Sequence, residues 1–339
     1  MAASAVPLSS QTTGTGALDK LLMVTAADMT KVNALILERA DSHVEMVPEL
    51  ARYLIEAGGK RLRPMLTVAA AALFETPNGA QIRFAAAVEF MHNATLLHDD
   101  VVDESDMRRG RPAARVIWGN QASVLVGDFL LGQAFMMMVE TGDIEALGVL
   151  ARAAAIIAEG EVFQLAKAGD LSATPDDYAQ VIRAKTATLF EAACEVGAMA
   201  GGADAAGREA LRLYGRELGC AFQLVDDVLD YRGESGTLGK NIGDDLREGK
   251  MTLPVILALA EGNPAEREIV ASALGNPETP DGVLAQVVAI LNRHGTLTRT
   301  LAQAQGHADA AKSAIADLGD SQMKTLLTEI ADFTVARAY

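Results

Sequence analysis

Two short segments of the chain place closely spaced aspartates in otherwise apolar surroundings. The first, TLLHDDVVD, runs from Thr95 to Asp103, and the second, FQLVDDVLD, runs from Phe222 to Asp230. Both contain the pattern DDxxD, and residues four apart lie on one face of a helix. Two carboxylates on an apolar face repel each other unless a cation lies between them. Each segment therefore has the composition of a site for a hard divalent cation with oxygen ligands, such as Mg²⁺.

A solvated helix end is the alternative interpretation of a single DDxxD pattern in a chain with 45 acidic residues. The second copy, in a matching apolar context far along the chain, favours a metal site. It indicates two helices that present similar ends to a common space. The predicted metal ligands are Asp99, Asp103, Asp226 and Asp230. His98, which precedes the first acid pair, is interpreted as a packing or hydrogen-bonding residue rather than a ligand.

Several short basic motifs accompany the acid segments, and two of them follow an acid segment directly. Arginine forks and lysine point charges are the side chains that bind phosphate oxygens. The combination predicts a diphosphate that is held by carboxylate-bound Mg²⁺ on one side and by basic side chains on the other. The basic candidates are Lys60, Arg61, Arg63, Arg108, Arg109, Arg111, Lys185, Lys240 and Lys250.

Composition and missing motifs exclude several other functions. The net charge of −16 opposes binding to nucleic acid and to anionic membranes at long range, so an anionic ligand needs a local basic cluster. The sequence has neither GxxxxGK[ST] nor a strand-linked GxGxxG, which argues that the diphosphate does not belong to a nucleotide. It also lacks GxSxG, the motif that presents a nucleophilic serine in α/β-hydrolases. The two cysteines, Cys194 and Cys220, form no CxxC, which fits a reducing, cytoplasmic setting.

The elements that position these motifs are predicted to be helices. From Leu18 onward Ala, Leu, Glu, Met and Arg dominate, while Gly and Pro fall mostly between periodic stretches. This pattern predicts one all-α domain of ten or more helices over residues 18–339, preceded by a disordered tail over residues 1–17. The tail carries no Lys or Arg up to residue 18, which argues against a targeting peptide. The apolar run DFLLGQAFMMMV is interrupted by Gly132 and Gln133, so we expect no transmembrane segment.

As a set, six motifs resemble those of the trans-polyprenyl diphosphate synthases, the prenyltransferases that elongate isoprenoid chains. They span Gly58 to Pro254 in the order known for that family. The resemblance implies a bundle around a central apolar cavity, as in isoprenoid synthases, and a cytoplasmic homodimer. The motifs are GGKRLRP, HNATLLHDDVVDESDMRRGRP, VLVGDFL, AKTATLF, FQLVDDVLDY and GKNIGDDLREGKMTLP.

The resemblance also implies a role for each matching residue. The pocket for isopentenyl diphosphate would consist of Lys60, Arg63, His92 and Arg109. Asp99 and Asp103 would bind two Mg²⁺ ions on the allylic diphosphate, and Asp226, with Asp230 nearby, would bind a third. The side chains expected to contact the allylic diphosphate or its reacting carbon are Arg108, Lys185, Thr186, Gln223, Lys240 and Lys250. In this mechanism the allylic C–O bond ionises and isopentenyl diphosphate attacks the cation, without a side-chain nucleophile.

Product length is implied by the residues that precede the first acid pair. In the family, an aromatic residue four or five positions before the first aspartate blocks the growing tail. Here these positions are Thr95 and Ala94, with Met91 one turn further, so the channel is expected to be open. The segments around Leu131 and Glu161 resemble those of long-chain members that make octaprenyl to decaprenyl side chains of quinones such as ubiquinone. Release of such a product would involve transient membrane contact.

Two other functions are weighed against the elongating synthase. A class I terpene cyclase also ionises a prenyl diphosphate at DDxxD, but its second metal motif is usually an Asn/Ser/Glu pattern and its pocket is aromatic. Here the second motif is DDVLD and aromatic residues make up only 4% of the chain. A non-catalytic subunit of a heteromeric synthase is the other alternative, although such subunits tend to lose acid motifs that are intact in this chain.

Overall fold

The structure is a computed structural model that describes residues 16–74, 78–232 and 242–338. Within these ranges it is almost entirely helical, so the predicted all-α fold is confirmed, as is the prediction of ten or more helices. The helices are α1 (Ala17–Arg39), α2 (Met46–Glu56), α3 (Leu62–Ala71), α4 (Gln81–Val102), α5 (Ala114–Glu140), α6 (Ile144–Lys167), α7 (Pro175–Ile182), α8 (Thr188–Ala200), α9 (Ala205–Arg232), α10 (Asp244–Arg247), α11 (Leu253–Glu261), α12 (Pro264–Ala273), α13 (Asp281–Arg293), α14 (Thr296–Ala314) and α15 (Gln322–Ala336).

Two short features interrupt the helices close to the predicted site. A π-helical turn, Arg183–Ala187, separates α7 from α8 and carries Lys185 and Thr186. A two-stranded antiparallel ribbon pairs Met107–Arg108 with Arg111–Pro112 and follows α4 directly. Residues 1–15 of the predicted disordered tail lie outside the described residues, and α1 begins at Ala17.

Several helices begin where the sequence provides capping groups. The Thr174 hydroxyl accepts a hydrogen bond from the Asp177 backbone, and the Asp177 carboxylate accepts one from the Thr174 backbone, so the two residues form a capping box with Pro175 at the first helical position. The Asp143 carboxylate caps α6 by accepting from two backbone N–H groups. Such caps satisfy N–H groups that have no partner within the helix, and they fix where α6 and α7 start.

The core of the bundle forms around α4 and α9, the two helices that carry the acid segments. Helix α4 packs against α1, α3, α5 and α8, and its Phe84, Phe90 and Leu97 side chains are fully buried. Helix α9 packs against α8, α14 and α15. Close approach of α9 to α8 depends on Gly215, because a Cβ atom there would lie 2.4 Å from the Phe190 carbonyl oxygen. Both acid segments are thereby held in rigid, buried helices.

Helix α5 is long and apolar enough to cross a membrane, although no such segment was expected. It is the one helix among the described residues with sufficient length and apolar character, and its most apolar 18-residue window has a mean hydropathy of 1.7. Gly132 and Gln133 were expected to interrupt this run, but both lie within the helical part that follows a kink at Gly119, where φ is +84°. Of that window, 44% is buried inside the fold. A helix that lines a protein core meets the same criteria.

Candidate active site

The two acid segments face one cavity of about 620 Å³. Asp99 and Asp103 lie at the C-terminal end of α4, and Asp226 and Asp230 lie near the C-terminal end of α9. The structure thus brings together the two helix ends that the sequence predicted to share a space. Of the predicted site residues, the following line the cavity: Lys60, Arg61, Arg63, His92, Thr95, Asp99, Asp103, Arg108, Arg109, Lys185, Thr186, Gln223, Asp226, Asp230 and Lys250.

Three predicted residues that the structure describes, Met91, Ala94 and Arg111, do not line this cavity. Arg111 is exposed on the two-stranded ribbon. Met91 and Ala94 are buried in the core, 1% and 2% exposed, and do not contribute to the cavity wall. Of the three residues proposed to control product length, only Thr95 lines the cavity. Lys240 lies outside the described residues.

Two lysines, Lys185 and Lys250, contact the first acid pair and compensate its two carboxylates to different degrees. Lys250 donates a hydrogen bond to Asp103 at 2.9 Å, and the Lys185 ammonium lies 3.7 Å from Asp99 while it donates to Glu161 at 2.7 Å. Burial raises the pKa of Asp99, and Lys185 opposes that shift only in part. Burial also opposes ionisation of Asp103, but Lys250 and Lys185 outweigh it and lower its pKa. The positive charge near Asp99 therefore does not fully compensate for the burial of its carboxylate.

The middle acid of the first segment has a different environment. Asp100 is completely buried, and one of its carboxylate oxygens accepts two hydrogen bonds from Arg108, from Nε at 2.8 Å and from Nη2 at 2.5 Å. This fork fixes the direction of the Arg108 side chain, which lines the cavity. Asp100 therefore orients a predicted diphosphate contact instead of facing the cavity itself.

The second acid segment is contacted by the C-terminal helix. Arg337, one residue beyond α15, forms an ion pair with Asp226 at 2.8 Å, and its guanidinium stacks on the Phe222 ring at 4.0 Å. Phe333 on α15 lies beneath the Lys60 ammonium at 5.5 Å. Side chains of α15 thus form part of the cavity wall.

A hydrogen-bond chain crosses the cavity wall behind the second acid segment. The Tyr178 hydroxyl donates to Asp227 at 2.5 Å, the Gln223 amide donates to Asp227 at 2.8 Å, and the Thr186 hydroxyl donates to the Gln223 carbonyl oxygen at 2.7 Å. Burial, aided by Asp245, raises the pKa of Asp227 to about 7, although the hydrogen bonds from Tyr178 and Gln223 oppose this shift. Both of the residues predicted to lie beside the reacting carbon belong to this chain.

The basic side of the cavity contains a neutral histidine among arginines. Burial and the neighbouring Arg63 hold the pKa of His92 well below its usual range, so the ring is uncharged at neutral pH. Its Nε2 lies 3.3 Å from an Arg63 guanidinium nitrogen, and that guanidinium lies 4.4 Å from the centre of the Phe190 ring. Burial lowers the pKa of Arg63 to about 10, and Glu89 opposes the shift. The cluster retains its positive charge for an anion.

Backbone geometry brings Arg109 to the same cluster. Its guanidinium donates to the Gly58 carbonyl oxygen, and a Cβ atom at Gly59 would lie 2.9 Å from its Nη1 atom. The φ of +147° at position 59 also favours glycine, since other residues rarely adopt it. Arg109 itself has a φ of 53°, an uncommon conformation for an arginine that is found here beside the ligand cavity. The GG of GGKRLRP and the RRG motif thus form one wall.

Comparison with known proteins identifies the family. Residues 44–291 match the family model described as polyprenyl synthetase. Octaprenyl diphosphate synthase from Escherichia coli (strain K12) is 44% identical over 322 residues, which cover 94% of this chain and 99% of that protein. The crystal structure of a polyprenyl synthase from Caulobacter crescentus CB15, complexed with calcium and isoprenyl diphosphate, is 50% identical, has a TM-score of 0.92 and covers 97% of this chain and 100% of that one.

A second crystal structure, of a decaprenyl diphosphate synthase from Rhodobacter capsulatus, is 49% identical with a TM-score of 0.90 and covers 95% of this chain and 99% of that one. The chain belongs to the polyprenyl synthetase family. The family resemblance of the six sequence motifs is thereby confirmed, and so are the predicted enzyme class, a prenyltransferase, and the all-α fold of polyprenyl synthases.

The carboxylates of this polyprenyl synthetase fit a divalent cation that arrives with its diphosphate. In the described residues no group of three or more His, Cys, Asp or Glu side chains converges on a point where it would hold a metal ion alone. Mg²⁺ is commonly bound by one or two carboxylates and completes its shell with water and substrate phosphate oxygens. Asp99 and Asp103, which face the cavity beside Lys185 and Lys250, provide such an oxygen pair.

Sequence reasoning missed several residues that contact the predicted site residues. Glu161 lies in a segment that was compared with long-chain members, and Asp245 lies in the motif GKNIGDDLREGKMTLP, but neither residue was given a role. Glu89, which opposes the lowering of the Arg63 pKa, lies six residues before the first acid segment. The pairings of Tyr178 with Asp227 and of Arg337 with Asp226 have no local sequence signal, because only the fold brings α7 and the C-terminus to the cavity.

Proposed function

We propose that the chain is a long-chain trans-polyprenyl diphosphate synthase that condenses isopentenyl diphosphate head-to-tail onto an allylic diphosphate in a Mg²⁺-dependent reaction. The observation that carries this proposal is that two acid segments and two basic clusters line one cavity in a member of the polyprenyl synthetase family. The names of its relatives, octaprenyl and decaprenyl diphosphate synthase, support the long-chain class.

The isopentenyl diphosphate site is proposed to lie at the cluster of Lys60, Arg63, His92 and Arg109. Three permanent cations surround a neutral histidine that serves as an additional hydrogen-bonding group. Arginine forks suit the oxygens of a diphosphate, and the left-handed conformation of Arg109 directs its side chain to this cluster. The bound alkene would then extend from this wall toward the hydrogen-bond chain of Thr186.

The allylic diphosphate is proposed to bind between the acid segments. Mg²⁺ held by Asp99 and Asp103, and by Asp226 with Asp230, would neutralise its charge and polarise the bond to the leaving group. We propose three ions, two at the first segment and one at the second. Arg108, Lys185 and Lys250 provide the remaining positive charge, and the same contact is proposed for Lys240.

Binding of this substrate would exchange partners within the site. Lys185 and Lys250 now contact Asp99, Glu161 and Asp103. Once a diphosphate and its cations are present, the lysines can turn to phosphate oxygens, and the carboxylates can bind the cations. The lysines thus keep a cluster of buried acids folded before the substrate arrives.

Ionisation of the allylic C–O bond leaves a carbocation that needs electron-rich neighbours and no water. The Thr186 hydroxyl oxygen and the Gln223 carbonyl oxygen are the proposed neighbours, and the buried wall around them excludes water. The double bond of isopentenyl diphosphate attacks the cation, a new C–C bond forms, and a proton then passes to the released diphosphate. The arginines and lysines retain that diphosphate and so keep the base in place.

An octaprenyl to decaprenyl product is proposed, for use as the side chain of a quinone such as ubiquinone. Thr95, in the wall below the first acid pair, is small and leaves room for the tail. Ala94 and Met91 lie behind that wall in the core. They would define the channel only if the wall moves when a long tail enters.

A homodimer is proposed from the apolar residues that remain exposed on α5 and α6. Contiguous exposed apolar surface marks interaction sites, and a second copy would bury the uncovered part of the most apolar helix. The exposed residues are Val116, Ile117, Val124, Leu125, Met136 and Val139 on α5 and Ile144, Ile156, Val162 and Leu165 on α6. Sedimentation at micromolar concentration tests this, and Leu125→Glu, at 66% exposure, is expected to yield monomers.

A cytoplasmic location is proposed, with transient contact between the enzyme and a membrane during release of the apolar product. Both cysteines are buried and free, as expected for a reducing compartment. Fractionation of cells that produce the chain would test the location. Nucleic acid is not proposed as a partner, because a net charge of −16 repels it.

The function is tested with the purified single chain, farnesyl diphosphate, excess isopentenyl diphosphate and Mg²⁺. Mass spectrometry should show diphosphates of octaprenyl to decaprenyl length, and no product should form with EDTA. A terpene cyclase would release a hydrocarbon from the allylic substrate alone. A non-catalytic subunit would give no product without a partner, and either result would contradict the proposal.

A further inference from the structure

The orientation of the Gln223 side-chain amide is controlled from behind the cavity wall. We infer that Asp227 and Tyr178 are positioning residues that hold the Gln223 carbonyl oxygen toward Thr186 and the reacting carbon. This inference deepens the proposed function and rests on it. It assigns roles to two residues outside the predicted substrate and metal contacts.

The geometry leaves Gln223 one favourable orientation. Both carboxylate oxygens of Asp227 act as acceptors, Oδ1 from the Gln223 amide and Oδ2 from the Tyr178 hydroxyl. The amide nitrogen of Gln223 must therefore face Asp227, and its oxygen must face the opposite way. There it accepts the Thr186 hydroxyl proton at 2.7 Å.

Reversal of the amide would place its carbonyl oxygen against the Asp227 carboxylate. Whenever Asp227 is ionised, two acceptors would then face each other in a buried site, where an unmade hydrogen bond is costly. Asp227 is 2% exposed and Tyr178 is 6% exposed, so water has little access to replace either partner. The correct orientation is thus fixed before substrate binds.

The consequence for the reaction is electrostatic. Because the Thr186 proton is used in its bond to Gln223, the lone pairs of the Thr186 oxygen remain available to the cavity. Both side chains therefore present oxygen, the negative end of their dipoles, to the place where the allylic cation is proposed to form. Dipoles that are oriented in advance stabilise charge without having to reorganise during the step.

The hydrogen-bond chain also joins three elements that form the cavity wall. Tyr178 lies on α7, Thr186 on the π-helical turn, and Gln223 and Asp227 lie one turn apart on α9. Residues four apart share a helix face, which is why the carboxylate of Asp227 reaches the amide of Gln223. The π-helical turn in turn places Thr186 beside Lys185, a proposed diphosphate contact.

Asp227→Asn is the variant that tests the inference directly. An asparagine side chain has nearly the same shape, but it can offer either its oxygen or its nitrogen to Gln223, so the glutamine amide is no longer held in one orientation. We expect kcat to fall by about ten- to a hundredfold. KM for isopentenyl diphosphate should change by less than about threefold, because the basic cluster around Arg63 is untouched.

A double-mutant cycle separates positioning from a general structural effect. If Asp227 acts through Gln223, Asp227→Asn should lower kcat much less in a Gln223→Ala background than in the wild-type background. Full additivity of the two substitutions would overturn the inference. Tyr178→Phe should lower kcat less than Asp227→Asn does, since Gln223 keeps its bond to the carboxylate.

Tyr214→Phe is the matched control for Tyr178→Phe. The Tyr214 hydroxyl is fully buried and donates to the Leu327 carbonyl oxygen at 2.8 Å, away from the cavity. Removal of that hydroxyl should lower Tm without a change in kcat. If Tyr214→Phe lowers kcat as much as Tyr178→Phe does, the effect of Tyr178 is only structural and its assigned role fails.

A binding measurement tests the same point without turnover. The probes are an ammonium analogue of the allylic cation that carries a diphosphate and its uncharged thioether counterpart, each measured by calorimetry with Mg²⁺. Wild-type protein should bind the ammonium analogue more tightly, and Asp227→Asn should reduce this preference by about tenfold. An unchanged preference in the variant overturns the inference and leaves the proposed function intact, whereas failure of wild-type protein to bind either probe overturns both.

Discussion

The Lys250 ammonium and the Asp103 carboxylate form a hydrogen bond of 2.9 Å that joins the segment between α10 and α11 to the end of α4. Burial opposes protonation of Lys250, but Asp245, Asp103 and Glu248 more than offset it and raise its pKa. The pair is therefore charged at any pH at which the protein is folded and Asp103 is ionised. It holds in place a carboxylate that is proposed to receive Mg²⁺.

Lys250→Ala should destabilise the ligand-free protein and weaken substrate binding together. Removal of the ammonium leaves Asp103 and Asp245 as neighbouring buried acids, at a cost of about 1–3 kcal/mol to the free energy of unfolding. Mg²⁺ should restore part of that loss, because a cation then replaces the missing charge. Thermal unfolding with and without Mg²⁺ measures both effects.

The matched control is Lys312→Ala, which removes a surface lysine that bridges Asp309 and Asp332 on α14 and α15. Exposed ion pairs contribute little to stability, so this variant should unfold close to the wild-type temperature and should show no special response to Mg²⁺. Equal behaviour of the two lysine variants would contradict a charge-holding role for Lys250.

Asp99→Asn should separate activity from stability. Because burial raises the pKa of Asp99, its ionised form costs folding free energy at neutral pH, and a neutral amide removes that cost. We therefore expect an equal or higher Tm at pH 7, together with a loss of kcat of about a hundred- to a thousandfold. The stability gain should be complete above the raised pKa and should vanish below the ordinary value of 3.8, where wild-type Asp99 is protonated in both states.

Asp103→Asn should behave in the opposite way in stability. The pKa of Asp103 is lowered because Lys250 and Lys185 outweigh burial, so its charge stabilises the fold above the ordinary aspartate pKa. Both variants should lose activity, but only this one should lose thermal stability at neutral pH. A lower Tm for Asp99→Asn at pH 7 would show that the carboxylate is better compensated than the structure indicates.

The fold class and most of the cavity lining could be predicted because their signals are local. DDxxD places Asp99 beside Asp103 by helix periodicity alone, and Arg63 and Arg109 were identified from short motifs. What could not be predicted depends on distant segments. Arg337 reaches Asp226 only because α15 packs beside α9, and Tyr178 reaches Asp227 only because the π-helical turn after α7 packs against α9. Neither pairing leaves a periodic pattern in the sequence.

Product length was the least predictable feature, because it depends on which side of α4 faces the cavity. Helix periodicity placed Ala94 and Thr95 near the first acid pair, but it did not tell which of the two faces the cavity. The structure places Thr95 in the wall and Ala94 in the core. The burial of a helix on nearly all sides, as in α4, removes the polar face that would have indicated its orientation.

Thr95→Phe should shorten the product. The ring would project into the cavity from its wall and block the growing tail, so chromatography should show shorter prenyl diphosphates and a similar rate of the first condensation. Thr95→Ser is the matched control, since it keeps the hydroxyl that donates to the His92 carbonyl oxygen at 2.8 Å. Unchanged product lengths in Thr95→Phe would show that the tail runs elsewhere.

Ala94→Phe distinguishes a channel behind the wall from a packed core. In a packed core the ring costs about 1–3 kcal/mol of stability, because it forces its neighbours to move. If the wall opens for a long tail, the same substitution shortens the product with little loss of Tm. Measurement of product length and Tm on one preparation decides between the two.

Arg337→Ala should increase the apparent affinity for Mg²⁺ while it loosens the cavity wall. Arg337 now pairs with Asp226, and a cation that binds this carboxylate has to displace the guanidinium. Because the Asp226 side chain is 41% exposed, the pair contributes no more than about 1 kcal/mol, and the expected gain in Mg²⁺ affinity is about two- to fivefold. The lost stack on Phe222 should lower Tm at the same time.

Arg337→Lys keeps the charge without the planar stack, so it should lower Tm but leave Mg²⁺ affinity near the wild-type value. Calorimetric titration of Mg²⁺ in the presence of inorganic diphosphate measures the affinity, and weaker binding in Arg337→Ala would mean that Arg337 supports the metal site instead of competing with it.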